Sequence, residues 1–227
     1  MICGLPLEYA ERAKEVICTK CGKSEKANVF CPEGHYVCEE CHGTGAYDFV
    51  REFVLYSQDK DPLAIAESLL NHNEIFPMLG CEHAMIAAGA LLAAIKNEGT
   101  LKLSGEDIEE ALQRTQRQAV GGYCGLTGVC GIAPAIGACF SVVLGAACPG
   151  NRETAVTMRV VARVTDTIAA ETGPCCCKSF VRSALATAVG LVKEYLNIYL
   201  PVQKRNYHCL DSARHPHGCR KEKCLYY

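Results

Sequence analysis

The pattern of hydrophobic and polar positions along the chain is mainly that of α-helices. Over residues 46–57, for example, apolar side chains recur at the three- and four-residue spacing that places them on one helix face. The same reasoning predicts further helices over residues 62–71, 84–97, 104–118, 132–147, 151–170 and 178–200. Strand periodicity is absent outside residues 18–45, and residues 1–17 are expected to form a short amphipathic helix or arm. A mainly α fold with a helical core is therefore expected.

Local start and stop signals support these boundaries. Asp61 followed by Pro62 reads as an N-cap before a proline at the first helical position. Ser104 and Asp107 have the spacing of a capping box. Gly99 is expected to end the helix before it, and the later helices are separated by glycine and proline.

Cysteine dominates the composition of the 227-residue chain, with 17 cysteines and no tryptophan. The odd count, the adjacent triplet at 175–177 and an N-terminus that meets charge too early for a signal peptide argue against a secreted disulfide scaffold. Clustered cysteines in a reducing compartment more often bind metal or catalyse a reaction. We therefore expect a cytoplasmic protein from an anaerobic host, where so many thiols escape oxidation.

Charge and hydropathy limit the kinds of partner that are expected. The net charge is −2 with acids and bases interspersed, so no nucleic-acid partner is expected. Residues 119–150 carry no charge, but Pro134, Pro149 and several glycines interrupt them. The apolar part of about 16 residues is short for a bilayer. A buried central helix is expected there rather than a membrane span.

Two CxxC pairs near the N-terminus predict a metal site. Cys18 and Cys21 form the first pair, and Cys38 and Cys41 form the second, sixteen residues later. Each CxxC turn presents two thiolates to one tetrahedral ion, so this spacing is typical of a zinc ribbon or treble clef. We expect these four cysteines to bind one structural Zn²⁺.

Cys31 and His35 lie between the two pairs and are either ligands of a second site or ordinary packing residues. Their spacing also matches the first six ligands of a RING-type cross-brace, but the remaining CxxC does not follow, which disfavours a ubiquitin ligase. The expected domains are a zinc knuckle with an N-terminal arm at residues 1–45 and an all-helical, cysteine-rich core with a cysteine-rich tail at residues 46–227.

A glycine-rich loop at residues 121–131 carries Cys124 and Cys130 and precedes an uncharged helix. Glycine lacks a Cβ atom, so such a loop can pass close to a bulky ligand. The helix dipole is expected to lower the pKa of Cys130 and to favour anionic ligands. No GxxxxGK[ST] motif, preceding strand or lysine accompanies the loop, which disfavours phosphate binding. A metal or metal–sulfur centre is the better interpretation.

Cys81, Cys130 and Cys177 each stand at a predicted helix start, where unpaired N–H groups favour thiolates. We expect three of Cys124, Cys130, Cys176 and Cys177 to hold a [4Fe–4S] cluster with one open iron, or one thiol to carry a persulfide. This hypothesis requires Cys124 and Cys130 to lie within about 3.5–7 Å of Cys176 or Cys177.

Several other residues have two interpretations. His83, next to Glu82 and near Cys81, is a candidate ligand or catalytic base, or a hydrogen-bonded capping residue. Cys139, Cys148 and Cys3 are expected to be small buried hydrophobes.

Three more cysteines lie in the C-terminal tail, within sixteen residues of one another. Cys209, Cys219 and Cys224 are too far apart for a CxxC-type turn. We expect the tail to fold back onto the zinc knuckle or the central site, where these thiols supply metal ligands.

Together these motifs resemble an uncharacterised cysteine-rich domain of methanogens and other strict anaerobes. The motifs are GHYVCxxCH at 34–42, GGYCGxxGVCG at 121–131, GPxCCK at 173–178 and Cys-x-x-Ser at Cys209 and Ser212. Cys175 is additional to that pattern. The domain is sometimes fused to radical-SAM or methyltransferase modules, so the resemblance implies anaerobic metabolism, metal-bound thiolates and a partner of one of those classes.

The sequence thus predicts a metal-thiolate protein of anaerobic metabolism. The favoured hypothesis is an iron–sulfur-dependent enzyme of sulfur-transfer or lyase type that acts on a small sulfur-containing or anionic substrate. The alternative is a non-catalytic zinc-binding accessory subunit that docks to a partner enzyme. A homodimer is compatible with either hypothesis.

Overall fold

The computed structural model describes residues 3, 5–73, 75–171, 173, 175–203 and 207–227. The described chain is mainly helical, as predicted, with a small two-stranded antiparallel sheet. The strands are β1 (Glu8–Ile17) and β2 (Ser24–Phe30). The helices are α1 (Glu39–Tyr56), α2 (Pro62–Leu70), α3 (Glu82–Glu98), α4 (Gly105–Gln118), α5 (Tyr123–Thr127), α6 (Ile132–Leu144), α7 (Arg152–Ala170) and α8 (Cys177–Leu196). The tail contains two short 3₁₀ turns, Ser212–Arg214 and Lys221–Lys223.

Helix α3 is the centre of the core, because it packs against α1, α2, α4, α6 and α8. All of its residues from Glu82 to Ile95 are buried, so it is enclosed on every side. Its alanines and its one glycine allow neighbouring helices to approach closely. At Gly89 an added Cβ would lie only 3.0 Å from a methyl group of Val54 on α1. Small residues at these positions therefore determine how tightly the bundle closes around α3.

The predicted helix caps are present. The side chain of Asp61 accepts hydrogen bonds from the N–H groups of Leu63 and Ala64, and Ser104 and Asp107 form the predicted capping box. Asp61 is 2% exposed and also accepts from the backbone N–H of Gln203, at 3.0 Å. The buried carboxylate of Asp61 thus caps the N-terminus of α2 and also holds the backbone that follows α8.

Replacing Asp61 with alanine is expected to lower the free energy of unfolding by about 1–2 kcal/mol, because three backbone N–H groups lose their acceptor. Asp61→Asn, which keeps a side-chain oxygen, should lose less. Urea unfolding of the two variants measures the difference. Equal stability of Asp61→Ala and the unaltered protein would contradict this role for Asp61.

The prediction of a helix or arm over residues 1–17 was wrong, because residues 8–17 form strand β1. Its partner is β2, with Glu8 opposite Phe30 and Ile17 opposite Ser24. The sequence of β1 is rich in helix-forming alanine, glutamate and lysine. Backbone pairing with β2 outweighs that preference, and the register is irregular between Tyr9 and Lys14.

Three helix boundaries differ from the prediction. Helix α1 begins at Glu39, directly after Cys38, rather than near residue 46. Helix α6 ends before Gly145, which has a φ of 64°, and α8 ends before Asn197, which has a φ of 56°. Glycine and asparagine are the residues that most readily adopt this left-handed conformation, which closes a helix C-terminus. Among the described residues, no helix is both long enough and apolar enough to cross a bilayer.

Candidate metal centres

The two CxxC pairs converge in space. The first pair lies in the turn that joins β1 to β2, and the second lies at the start of α1. The Sγ atoms of Cys18, Cys21, Cys38 and Cys41 all lie within 4.8 Å of one another, and those of Cys21 and Cys38 are 3.7 Å apart. Thiolates bound to one tetrahedral Zn²⁺ stand about 3.8 Å apart, since each Zn–S bond is about 2.3 Å. We call these four residues the N-terminal cysteine site, and it can hold a metal ion.

Hydrogen bonding and burial affect the thiols of this site differently. The backbone N–H of Cys38 points at Cys18 Sγ, 3.4 Å away, and this contact lowers the pKa of Cys18 to about 6. Burial raises the pKa of Cys38. Hydrogen bonds with Cys21 and Cys38 raise the pKa of Cys41 to about 12. Cys38 and Cys41 are therefore thiolates at neutral pH only beside a cation such as a bound metal ion.

A second group of donors lies in the N-terminal region. Cys3 Sγ is 3.4 Å from Cys31 Sγ, which is 3.7 Å from His35 Nδ1. The three donor atoms lie within 4.8 Å of one another, so they too can hold a metal ion. The expectation that Cys3 is buried was wrong, because it is exposed. No local sequence pattern predicts this placement, because the pairing of β1 with β2 brings Cys3 and Cys31 together.

The glycine-rich loop contains α5, a single helical turn that lies between Gly122 and Gly128, which have φ values of 76° and 78°. Cys124 lies on this turn, and its Sγ atom is 3.9 Å from that of Cys175. At Gly121 the loop N–H donates to Glu39 Oε1 on α1, at 2.9 Å. A Cβ added at Gly121 would lie 2.7 Å from that oxygen and 3.8 Å from Cys81 Sγ, so a side chain here would displace the Glu39 carboxylate from the loop.

Five thiols from three segments gather around this loop. The pKa of Cys81 is raised, first by burial and then by the negative charges of nearby acidic and thiol groups that include Cys124 and Cys130. The hydrogen bond with Cys124 lowers the pKa of Cys175, but Cys177, burial and Cys130 together raise it to about 12. We call Cys81, Cys124, Cys130, Cys175 and Cys177 the central cysteine cluster.

The expected lowering of the pKa of Cys130 was wrong. Burial raises the pKa of Cys130 to about 11, although a hydrogen bond from the Ile132 N–H opposes the increase. Loss of hydration and repulsion by neighbouring thiols outweigh the helix dipole at this position. In the absence of a cation the thiols of Cys81, Cys124 and Cys130 are therefore protonated at neutral pH.

The triplet at 175–177 divides between two sites. Cys176 has an extended backbone, so its side chain points away from those of its two neighbours. Cys175 and Cys177 interact with each other on the side of the glycine-rich loop. Cys176 instead lines a separate cavity under the C-terminal tail. The predicted group of Cys124, Cys130, Cys176 and Cys177 is thus not assembled as such, and Cys175 lies where Cys176 was expected.

The tail packs over the start of α8, and it also contacts β1 and Cys175 of the central cysteine cluster. His217 Nε2 is 3.3 Å from the hydroxyl of Tyr9 on β1, and His215 Nε2 is 3.0 Å from the carbonyl oxygen of Cys175. The three tail cysteines and Cys176 line one cavity, which encloses about 20 Å³ of space for a water-sized sphere. We call Cys176, Cys209, Cys219 and Cys224 the tail cysteine cluster.

His83 is fully buried at the start of α3. Its Nδ1 atom is 3.1 Å from the carbonyl oxygen of Gly80, and burial lowers the pKa of His83 to about 4. The imidazole is therefore neutral at pH 7, with Nδ1–H as the donor. Of the other cysteines, Cys139 is buried as expected and hydrogen-bonds to carbonyl groups of Ala88 and Ala135, whereas Cys148 is exposed.

The fold and these sites define a mainly helical, cysteine-rich protein with a candidate four-cysteine metal site. The model of DUF5714, a family of unknown function, matches residues 50–227, and the chain belongs to this family. The match confirms that the chain contains an uncharacterised domain. No curated protein and no solved structure matches the chain. The central and tail cysteine clusters lie within the matched residues, whereas the N-terminal cysteine site precedes them.

Proposed function

We propose that this protein is a metal-thiolate enzyme with a structural zinc site at its N-terminus and a reactive iron–sulfur centre in its core. The single observation that carries metal binding is the convergence of four sulfurs within 4.8 Å of one another from two separate CxxC turns. A donor set of four thiolates at this spacing suits tetrahedral Zn²⁺, with no position left for a substrate. The N-terminal cysteine site is therefore assigned a structural role as a zinc-ribbon-like or treble-clef-like knuckle.

The central cysteine cluster is the better candidate for the reaction. It provides five sulfur donors, which is more than one tetrahedral ion uses, and thiolate ligands select zinc, copper(I) and iron–sulfur clusters. A [4Fe–4S] cluster held by three of these thiols leaves one iron for a substrate, and the remaining thiols lie beside it. The cluster belongs to the region matched by the family, as expected for the chemistry that defines the family.

The reaction class is sulfur transfer or lyase chemistry in an anaerobe. Cys124, Cys130 and Cys175 are only partly buried, so a small sulfur-containing or anionic substrate can reach them from the side of the glycine-rich loop. Bound iron would supply the Lewis acid, while the chain itself positions the thiols and excludes bulk water. His83 is buried and neutral, with Nδ1 engaged by Gly80, so its proposed role is to position the start of α3.

This proposal predicts iron and acid-labile sulfide in protein purified without oxygen, at roughly four of each per chain for a single cluster. Cys124→Ser and Cys175→Ser are expected to lose most of both, since each removes a central thiol. Cys148→Ser, which removes an exposed cysteine outside the three clusters, should retain them. Iron and sulfide analysis with visible absorption gives the result. A colourless protein that contains only zinc would exclude the iron–sulfur enzyme.

That outcome would favour the second candidate, a zinc-binding accessory subunit. The observation that favours it is an apolar surface on the glycine-rich loop, where Tyr123, Leu126 and Val129 are 46%, 49% and 51% exposed. Exposed apolar side chains next to one another are typical of a protein–protein contact. A partner of the radical-SAM or methyltransferase type would then supply the catalysis.

A further inference from the structure

The two leucines of the C-terminal tail face outward. Leu210 and Leu225 are 81% and 85% exposed. Within residues 207–227, all of which the structure describes, Asp211 alone is buried, and the three cysteines are partly buried towards the body of the protein. Within residues 207–227, Tyr207 packs against the hydrophobic core, but no apolar side chain is fully buried, so apolar burial contributes little to holding the tail in position. Segments without a hydrophobic core are usually held by cross-links or metal ions.

From this arrangement we infer that Cys176, Cys209, Cys219 and Cys224 form a metal centre that binds one thiophilic divalent ion, such as Zn²⁺, and fixes the tail to α8. The four thiols line one cavity, and all four are free. Three of them come from the tail and the fourth from the N-cap of α8. Ligands from distant segments are typical of an ion that fastens one segment to another.

An ion pair positions the tail over this cavity. Lys178, in the first turn of α8, is fully buried and lies 2.6 Å from Asp211 Oδ2 in the tail. Its Nζ atom also donates to the carbonyl of Leu70 and to the side chain of Asn73, both at 2.8 Å. These contacts fix the chain between Cys209 and Cys219, so the two thiols are held on the same side of α8.

The last residues of the tail hydrogen-bond to its first residues. The N–H of Cys209 donates to the carbonyl of Tyr226 at 2.6 Å, and the Tyr226 hydroxyl is 3.2 Å from Ser183 Oγ on α8. The guanidinium of Arg182 lies over the Tyr226 ring, 5.3 Å from its centroid. Cys209 and Cys224 are therefore brought to the same cavity, although fourteen residues separate them in sequence.

Hydrogen-bond donors surround the sulfurs of Cys219 and Cys224, as they do in metal-thiolate sites. Lys221 adopts a φ of 50°, which is uncommon for a residue other than glycine, and its N–H donates to Cys219 Sγ at 3.3 Å. The guanidinium of Arg220 is 3.9 Å from Cys224 Sγ, and Ser179 Oγ is 3.8 Å from the same sulfur. These groups stabilise negative charge on sulfur, which an anionic four-thiolate metal centre requires.

The cavity is of a size that fits a single ion. Its volume of about 20 Å³ for the centre of a water-sized sphere is enough for one ion or one water molecule. All four residues lie in the described chain, but no three of their sulfurs lie within 4.8 Å of one another, unlike those of the N-terminal cysteine site. Binding would therefore draw the tail inward until the sulfurs stand about 3.8 Å apart.

The test is the metal content of the full chain, freed of metal and reloaded with Zn²⁺ alone without oxygen. Cys219→Ser and the double variant Cys209→Ser/Cys224→Ser are expected to bind one Zn²⁺ fewer per chain than Cys148→Ser. Their tails should also be cut faster by protease. Loading with Co²⁺ should show a corresponding loss of thiolate-to-cobalt absorption, while an unchanged helical circular dichroism spectrum verifies the fold.

Adding Cys18→Ser/Cys21→Ser to a tail variant should remove a second ion, and the two losses should add. The combined variant tests the two sites separately. If one site binds no zinc, the substitutions at the other site still remove one ion. Equal zinc in Cys219→Ser, the double variant and Cys148→Ser would overturn the inference. If protein purified without oxygen lost iron and sulfide, but no zinc, in these variants, a single divalent ion would be excluded.

Discussion

Cys38→Ser is expected to abolish zinc binding at the N-terminal cysteine site and to unfold residues 18–42, while the helical core remains folded. Cys38 is 0% exposed, and its Sγ atom lies 3.7 Å from that of Cys21. It is the N-cap residue of α1, and its N–H donates to Cys18 Sγ. Structural zinc contributes on the order of 10–16 kcal/mol to small zinc-dependent folds at pH 7. The two-stranded sheet has no comparable core of its own.

Zinc analysis and hydrogen exchange measure this loss directly. Exchange should become fast in β1, β2 and the first turn of α1 but remain slow in α3, which is enclosed by five other helices. Cys148→Ser is the matched control for loss of one cysteine. If Cys38→Ser retained full zinc and native resistance to protease, the assignment of this site would be wrong.

Asp211→Ala is expected to lower the free energy of unfolding by about 3–5 kcal/mol, because it leaves the charge of Lys178 buried without its carboxylate partner. The side chains of Lys178 and Asp211 are only 1% and 5% exposed. The neutral oxygens of Leu70 and Asn73 that remain do not balance a full positive charge. The tail should separate from α8 before the core unfolds.

Chemical denaturation gives the stability, and the rate of tail cleavage by protease reports the separation. Asp166→Ala is a suitable control, since Asp166 is an exposed carboxylate on α7. Lys178→Met/Asp211→Leu, which replaces both charges with apolar groups, should recover most of the loss. A loss below about 1 kcal/mol in Asp211→Ala, typical of a surface ion pair, would contradict the buried role.

The sequence predicted the features that depend on residues close together in the chain. The capping signals at Asp61 and Ser104 and the helical periodicity are local, so the helices α2 to α4 could be located closely. The two CxxC pairs identified the N-terminal cysteine site for the same reason. Each pair is a turn that presents two sulfurs regardless of the rest of the fold.

Features that depend on distant contacts were not predictable in this way. Strand β1 has the composition of a helix and becomes a strand only through β2. The sorting of Cys175 and Cys176 into different clusters depends on the extended backbone before α8, which the predicted helix start did not reveal. A stretch of consecutive cysteines in an extended conformation does carry that signal, because its side chains alternate in direction.

Helix α1 connects the N-terminal cysteine site to the central cysteine cluster. Glu39 follows Cys38 directly, and its carboxylate accepts a hydrogen bond from the N–H of Gly121 at the start of the glycine-rich loop. Any conformation in which the first turn of α1 frays loses the metal geometry and this hydrogen bond together. An ion at the N-terminal cysteine site that orders this loop would therefore strengthen binding at the central cysteine cluster. Because such coupling is reciprocal, an occupant of the central cysteine cluster would strengthen the binding of that ion by the same free energy.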